Sequence, residues 1–196
     1  MMREIRTPLD TETVLSLHAG EQILLSGVIY TARDAAHMRM LECMERGEPL
    51  PFELAGQVIY YAGPSPTPPG AVIGSIGPTT SMRMDAATPA LLKRGLAGMI
   101  GKGGRSAQVR TSMQENKAVY FIAVGGAAAL GARCVKSMEV IAWDDLGPES
   151  VKRLTVEKLP LIVACDAYGG DAFSEGQAAY RKVRGAQDAC GAKKRT

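Results

Sequence analysis

The sequence lacks the features of a nucleic-acid-binding protein. Aromatic residues make up 5% of its 196 residues, and the formal net charge is only +3, which is too small for a broad basic surface. The basic residues that cluster lie near the C-terminus: Arg181, Lys182, Arg184, Lys193, Lys194 and Arg195. A short basic tail is usually solvated, so we expect no nucleic-acid partner.

Long apolar runs and clustered cysteines are also missing. No run approaches the roughly 20 apolar residues that a membrane-spanning helix needs, and no apolar segment follows the charges of residues 1–6,. We therefore expect no membrane association and a cytoplasmic location. The four cysteines are scattered and show no C-x-x-C spacing, which favours reduced structural thiols over metal ligands: Cys43, Cys134, Cys165 and Cys190.

Glycine and proline gather at a few junctions between apolar segments. Apolar and β-branched runs predict strands at 22–30, 58–62, 71–76, 96–100, 119–124, 139–143 and 161–165,. Capping and breaking signals predict helices at 35–46, after 77–80, and at 88–95, 106–116, 127–133 and 148–154,. This alternation indicates an α/β fold with helices packed on a central sheet or a partly closed barrel.

Three strand-to-helix junctions each carry a cation. Arg33 follows the first strand, Arg83 lies just after Gly77-Pro78-Thr79-Thr80, and Lys102 stands between two glycines. Ligands of α/β folds collect at the carboxyl ends of strands, where free N–H groups face outward. Two guanidinium groups and an ammonium that converge there predict a site for a small dicarboxylate.

Each of these residues also has a structural interpretation. Lys102 does not complete a P-loop, because Gly103 follows it where Ser or Thr is required. Thr79 and Thr80 are suited to capping a helix. Asp34 is expected to cap the helix over 35–46 and to orient Arg33.

The two histidines are predicted to have different roles. His37 lies four residues after Arg33 and shares its helix face. It is expected either to assist at the site or to satisfy a buried polar contact. His18 has no chemical neighbours, and we interpret it as structural.

An ordered set of motifs resembles the β region of the class I fumarase and L(+)-tartrate dehydratase family, an iron–sulfur hydro-lyase family. The motifs are TARDAAH (31–37), YAGP (61–64), GPTTSMRMD (77–85), GKG (101–103), GGAAAL (125–130), DLG (145–147) and LIVACD (161–166). The resemblance implies a swivelling β/β/α domain, which we assign to residues 1–173. No motif of the family follows, and residues 174–196 are expected to form a basic tail that is helical or flexible.

The resemblance also implies a partner and roles for single residues. The partner is a larger α subunit in an α₂β₂ assembly, whose cysteines ligate a [4Fe–4S] cluster that acts as a Lewis acid. Arg33, Arg83 and Lys102 are then expected to bind the substrate carboxylates. Thr79 is expected at the reacting carbon, working with an α-subunit aspartate. Four further residues are expected to shape the pocket: Asp34, His37, Thr80 and Gly101.

The identity of the substrate follows less directly from the residues. Ser81-Met82 resembles the split-subunit enzymes, which include tartrate dehydratases, whereas the segments at 35–37 and 60–64 resemble fumarases. We expect reversible hydration of fumarate to L-malate, with tartrate dehydration or mesaconate hydration as alternatives. In an alternative of another class, the chain is a non-catalytic anion-binding or scaffold module.

Overall fold

A computed structural model describes residues 2–124 and 126–181 of the chain. The strands are β1 (Arg3–Arg6), β2 (Gln22–Thr31), β3 (Val58–Tyr60), β4 (Gly98–Gly101), β5 (Val119–Ile122), β6 (Val135–Ala142) and β7 (Val151–Cys165). The α-helices are α1 (Thr11–Leu15), α2 (Asp34–Arg46), α3 (Thr88–Leu92), α4 (Ala107–Asn116) and α5 (Ala128–Cys134). Short 3-10 helices occupy Ser81–Met84 and Asp144–Glu149, and residues 172–181 are helical.

Five of the strands close into a barrel. β2, β3, β4 and β5 are neighbours and run parallel, and β7 lies antiparallel to both β5 and β2. β7 can reach both because its 15 residues extend about 50 Å at roughly 3.3 Å per residue. β1 adds to β2 in parallel, and β6 pairs with the free edge of β7. The predicted α/β architecture is confirmed, and the barrel is fully closed.

Alternate residues of the barrel strands enter two cores. One core holds side chains from all five barrel strands, including Ile29, Tyr60, Ile100, Phe121 and Val163. The other packs the opposite strand faces against the helices and includes Ile59, Tyr61, Met99, Tyr120 and Met40. Because both faces are buried, the short strands β3, β4 and β5 contain no charged residue,.

Two predicted elements are wrong. Residues 71–76 form no strand, because the proline-rich loop folds back on itself: Ser65 N donates to Ser75 O at 3.0 Å. A Cβ at Gly74 would lie 2.1 Å from the Ser65 carbonyl oxygen, so this close approach requires glycine. The helix predicted at 148–154 stops at Glu149, and residues 151–154 belong to β7 because both β2 and β6 pair with them.

The helical residues 172–181 lie where the sequence predicts the basic tail to begin, and residues 182–196 are outside the described part of the chain. The domain boundary at residue 173 stays a prediction. Within the described ranges, no helix is both long and apolar enough to cross a membrane.

Candidate functional site

The predicted site residues lie at the carboxyl ends of neighbouring parallel strands. β2 leads into Arg33, β3 leads into Tyr61, and β4 leads into Lys102. Parallel neighbours end at the same edge of a sheet, so these junctions lie together at one end of the barrel. We call this surface the cation face and define it by Arg33, Arg83, Lys102 and Thr79.

The segment that contains the two threonines is fastened to the ends of β3 and β4 by backbone hydrogen bonds. Thr79 N donates to Tyr61 O at 2.7 Å, Lys102 N donates to Thr79 O at 3.3 Å, and Ser81 N donates to Lys102 O at 3.0 Å. Thr80 and Lys102 form an isolated parallel bridge. Thr79 and Lys102 are therefore immediate neighbours, although 23 positions separate their numbers.

The side chains of this segment remain available to a ligand. Thr79 is half-buried, and Thr80 and Lys102 are exposed. Thr80 occupies the cap position of the 3-10 helix Ser81–Met84, but its side chain makes no capping hydrogen bond. The capping interpretation is therefore wrong for Thr80.

Gly101 allows the threonine segment to approach β4 closely. A Cβ at this position would lie 1.9 Å from Ser81 Oγ and 3.0 Å from Tyr61 Cδ2. Only glycine fits at that separation. Gly101 therefore shapes the cation face through packing.

Two carboxylates orient the two arginines. Arg83 Nε donates to Asp34 Oδ1 at 2.7 Å, and Arg33 Nη2 lies 3.2 Å from Glu149 Oε1 and 3.9 Å from Asp34 Oδ2. With Lys102, the cluster contains three cations and two carboxylates, which leaves one formal positive charge. The face is thus less positive than the three cations alone suggest.

Asp34 does not cap the helix, contrary to the prediction. Arg33 occupies the cap position of α2 without a side-chain hydrogen bond. The N–H of Ala35 instead donates to Glu149 Oε2 at 3.0 Å. Because Glu149 supplies this acceptor from a distant 3-10 helix, the Asp34 carboxylate is free to bind Arg83.

His37 lies buried behind Arg33. Its Nδ1–H donates to the Arg33 carbonyl oxygen at 2.8 Å, and its ring meets Tyr61 edge-on with centroids 5.3 Å apart. Desolvation by burial lowers the pKa of His37 to about 4, so the imidazole is neutral at pH 7. Its Nε2 is then an acceptor, and this atom has no partner among the described residues.

Unpartnered buried polar atoms concentrate in the first turn of α2. Besides His37 Nε2, they are Arg33 Nε and Asp34 Oδ2. Buried polar groups normally find a partner in the protein, in water or in a ligand. In the described structure, the start of α2 could therefore form hydrogen bonds with a water molecule or a polar group of a ligand.

Sequence reasoning missed two residues that support the face. Glu149 is one, because nothing local links it to Arg33 or to α2. The other is Arg105, whose side chain is fully buried against Asp85. The only sequence signal for Arg105 is an arginine directly after Gly103-Gly104 at a helix start, a position where most arginines are solvated.

The described cysteines do not resemble cluster ligands. Cys43 and Cys165 are buried, and Cys134 is partly buried. Burial raises the pKa of Cys165 to about 12, which keeps its thiol protonated at neutral pH. Within the described ranges, no three His, Cys, Asp or Glu residues are grouped to hold a metal ion, and Cys190 is outside those ranges.

Comparison with known proteins places the chain in one family. The family model described as Fumarase C-terminus matches residues 3–176. The putative L(+)-tartrate dehydratase subunit beta of Methanocaldococcus jannaschii is 39% identical over 173 residues, covering 85% of this chain and 89% of that protein.

Two other relatives differ in how much of their length the chain matches. The L(+)-tartrate dehydratase subunit beta of Escherichia coli is 33% identical over 189 residues, 94% of this chain and 92% of that protein. Fumarate hydratase 2 of Leishmania major is 35% identical over 176 residues, 88% of this chain, but the chain spans only 31% of that protein. The resemblance predicted from the motifs is confirmed. The chain belongs to the Fumarase C-terminus family, and the proteins that it resembles include tartrate dehydratase β subunits and a fumarate hydratase.

Proposed function

We propose that this chain is the β subunit of an iron–sulfur hydro-lyase that reversibly hydrates fumarate to L-malate. The observation that carries the proposal is the cation face, where Arg33, Arg83 and Lys102 surround the Thr79 segment at one end of the barrel. A planar guanidinium can grip a carboxylate with two parallel hydrogen bonds, and an ammonium adds a point charge. A small dicarboxylate matches these donors.

Arg83 is suited to direct contact with the substrate. Its Nε is used by Asp34, which fixes the plane of the guanidinium. Its two terminal nitrogens make no hydrogen bond or ion pair within the described part of the chain. Lys102 is likewise held through its backbone, and its exposed ammonium has no ion-pair partner there.

Charge balance supports a second subunit. The cluster on this face has one formal positive charge after Asp34 and Glu149 are counted, whereas a dicarboxylate carries two negative charges. In addition, the Arg83 side chain is 51% exposed, and water screens charges on an open surface. We propose that an α subunit covers the face, excludes water and supplies further positive charge.

Thr79 is the proposed catalytic residue of this chain. A hydroxyl is a weak base and needs a carboxylate to receive its proton. Both carboxylates of the cluster already neutralise arginines, Asp34 through its Oδ1 with Arg83 and Glu149 with Arg33, and Glu149 also binds the α2 N-terminus. We therefore propose that the carboxylate paired with Thr79 belongs to the α subunit.

The [4Fe–4S] cluster is also proposed on the α subunit. The described cysteines of this chain do not group as ligands, so the ligands of the cluster would belong to the partner. The share of this chain is to bind and orient the dicarboxylate and to provide the Thr79 hydroxyl. In this proposal the chain alone is inactive, the complex is an α₂β₂ assembly, and its location is cytoplasmic.

L(+)-tartrate dehydration is the second candidate, because the chain matches tartrate dehydratase β subunits over most of their length. The chain spans 89% and 92% of two tartrate dehydratase β subunits but 31% of a fumarate hydratase. A tartrate site needs hydrogen bonds to a second substrate hydroxyl. Ser81 is unsuited to that role, because it is buried and its Oγ bonds Tyr120 OH at 2.8 Å. Because Ser81 cannot bind a second substrate hydroxyl, we propose fumarate as the substrate.

Anaerobic co-expression with the α subunit tests the proposal. The purified complex, with its cluster intact, is assayed with fumarate, L(+)-tartrate and mesaconate. We expect the highest kcat/KM with fumarate. A preference for tartrate or mesaconate would change the substrate but keep the reaction class, whereas no turnover of any of the three would support the non-catalytic alternative.

A further inference from the structure

A buried ion pair lies directly beneath the cation face. The Arg105 guanidinium is fully buried, with Nε donating to Asp85 Oδ1 at 2.8 Å and Nη2 donating to Thr88 Oγ1 at 2.7 Å. The rings of Tyr61 and Tyr120 lie 5.3 and 5.0 Å from its central carbon. Burying an ion pair carries a desolvation cost that often cancels its attraction. Net stabilisation therefore does not explain why this ion pair is buried. The fixed position that the pair gives to the chain segments on either side explains it better.

The ion pair joins the two chain segments that carry Arg83 and Lys102. Asp85 immediately follows the 3-10 helix Ser81–Met84, and Arg105 follows the glycine-rich turn after Lys102. The second oxygen of Asp85 accepts the Ser106 N–H at 2.7 Å, so one carboxylate holds both residues at the start of α4. This contact ties the ends of the two segments together.

A second tie joins the same segments near their beginnings. Tyr120 OH donates to the Gly103 carbonyl oxygen at 2.8 Å. The phenol has a single proton, so the 2.8 Å contact between Ser81 Oγ and Tyr120 OH is a hydrogen bond donated by Ser81. Desolvation by burial raises the pKa of Tyr120 and keeps this proton in place. The chain of bonds therefore runs from the 3-10 helix through β5 to the turn after Lys102.

We propose that the Arg105–Asp85 pair and the Ser81–Tyr120–Gly103 chain are positioning devices that set the separation between Arg83 and Lys102. The inference rests on the proposed function, because the separation between Arg83 and Lys102 matters only if the two cations bind the two carboxylates of one substrate. Arg105 and Tyr120 act through Arg83 and Lys102 and do not touch the substrate. Small displacements of binding groups are costly in catalysis, which explains why two separate ties join these segments.

Tyr120→Phe is the most informative variant, because it removes the hydroxyl and keeps the ring beside Arg105. In the α–β complex we expect KM to rise about tenfold with kcat within about twofold of wild type, as for lost binding that is equal in ground and transition states. Ser81→Ala should have a similar effect. The double variant should be no worse than either single variant, because both break one chain of bonds.

Tyr168→Phe is the matched control. Tyr168 OH also donates to a backbone carbonyl at 2.8 Å, that of Leu15, but at the other end of the barrel. We expect its KM and kcat to equal those of wild type. A purely structural role for Tyr120 would instead lower the melting temperature while leaving KM unchanged, and that result would overturn the inference.

Amide hydrogen exchange of the full chain separates this inference from the proposed function. Peptides covering residues 101–106 should exchange faster in Tyr120→Phe and Ser81→Ala than in wild type, and at the wild-type rate in Tyr168→Phe. Unchanged exchange in all variants would overturn the inference whatever the activity. If the wild-type complex hydrates none of the three substrates, the proposed function fails. Faster exchange in Tyr120→Phe and Ser81→Ala would still show that the Ser81–Tyr120–Gly103 hydrogen bonds hold the turn after Lys102.

Discussion

The cations of the site are held in different ways. Asp34 binds Arg83 Nε at 2.7 Å, and Glu149 lies 3.2 Å from Arg33, whereas Lys102 is held by backbone bonds, and its ammonium has no ion-pair partner among the described residues. Arg83 is half-exposed and contributes little to the core. Its substitution therefore tests substrate binding with little effect on folding.

Arg83→Ala should lower kcat/KM of the complex at least about 30-fold, since losing a charge-assisted hydrogen bond costs about 2 kcal/mol. Steady-state kinetics with fumarate measures this change. Arg46→Ala is the matched control, because Arg46 is also a half-exposed arginine in a 3.0 Å ion pair, with Glu48, but at the other end of α2. Equal kinetics for the two variants would remove Arg83 from the site.

Thr79→Val should lower kcat about 100-fold or more while KM changes less than about threefold, because the variant keeps the size and loses the hydroxyl that we propose to take part in proton transfer. Single-turnover and steady-state rates of the complex measure both quantities. Thr111→Val on the exposed surface of α4 is the control and should keep the wild-type rate. A near-normal kcat for Thr79→Val would limit Thr79 to a structural role.

His37 should make the free energy of unfolding depend on pH. Burial lowers its pKa from 6.5 to about 4, so between these values the unfolded chain takes up a proton that the folded chain does not. Stability is therefore fully present above pH 6.5 and is lost as pH falls toward 4. The loss amounts to about 3 kcal/mol at one pKa unit per 1.36 kcal/mol.

Urea unfolding of the full chain at pH 7.5 and pH 4.5 measures this loss. In His37→Gln, the titrating group is gone, so the decrease between the two pH values should be smaller by about 2 to 3 kcal/mol. An identical decrease in both proteins would show that His37 titrates normally in the folded state.

At the scale of elements, the start of α2 depends on a residue from the other end of the chain. Glu149, at the end of the 3-10 helix Asp144–Glu149, accepts the N–H of Ala35 and approaches Arg33. Lys152 holds the same turn, donating from Nζ to the Gly147 carbonyl oxygen at 3.0 Å and to Ser150 Oγ at 2.6 Å. The α2 terminus and the 3-10 helix thus form one unit.

Glu149→Ala should lower the free energy of unfolding by about 1 kcal/mol, the usual cost of losing a helix cap, and should also raise KM because Arg33 loses its closer ion-pair partner. Chemical denaturation and steady-state kinetics check the two effects. Glu139→Ala is the control, since Glu139 pairs with Arg153 on the exposed surface and exposed pairs contribute at most about 1 kcal/mol. If KM is unchanged in Glu149→Ala, Glu149 does not orient Arg33 for binding.

Elements with local signals could be predicted from the sequence, and those set by distant pairing could not. The prediction agrees with β2, α2 and α4 to within a residue or two. An apolar run marks β2, the breaking residue Gly47 marks the end of α2, and the Ser106 cap marks the start of α4. Residues 151–154 were predicted as helix, since only pairing with β2 and β6 makes them strand. β1 has too little apolar character to signal a strand alone.

The candidate site follows the same rule. Arg33, Arg83, Lys102 and Thr79 could be proposed because each stands in a junction motif, and parallel strands bring such junctions together. The partners that hold them could not be proposed. Asp34 to Arg83, Glu149 to Arg33 and Asp85 to Arg105 are contacts between residues that are distant in sequence, and only the tertiary fold brings them together.

At the scale of the whole molecule, a closed barrel presents an open cation face. The barrel strands are fully paired with one another, which provides a rigid base, while Arg83 and Lys102 remain accessible. An accessible set of cations binds a small dianion weakly in water. We therefore propose that this chain completes an active site only when an α subunit covers the face.

The most direct test is to titrate this chain into a fixed amount of separately purified, cluster-loaded α subunit and measure the initial rate of fumarate hydration. We predict no activity for either chain alone and a rate that rises to a plateau at a one-to-one ratio. With Arg83→Ala, the plateau should be reached at the same ratio but at least about 30-fold lower at subsaturating fumarate. Full activity of the α subunit alone, or no activity at any ratio, would contradict the proposal that the two subunits form the active site together.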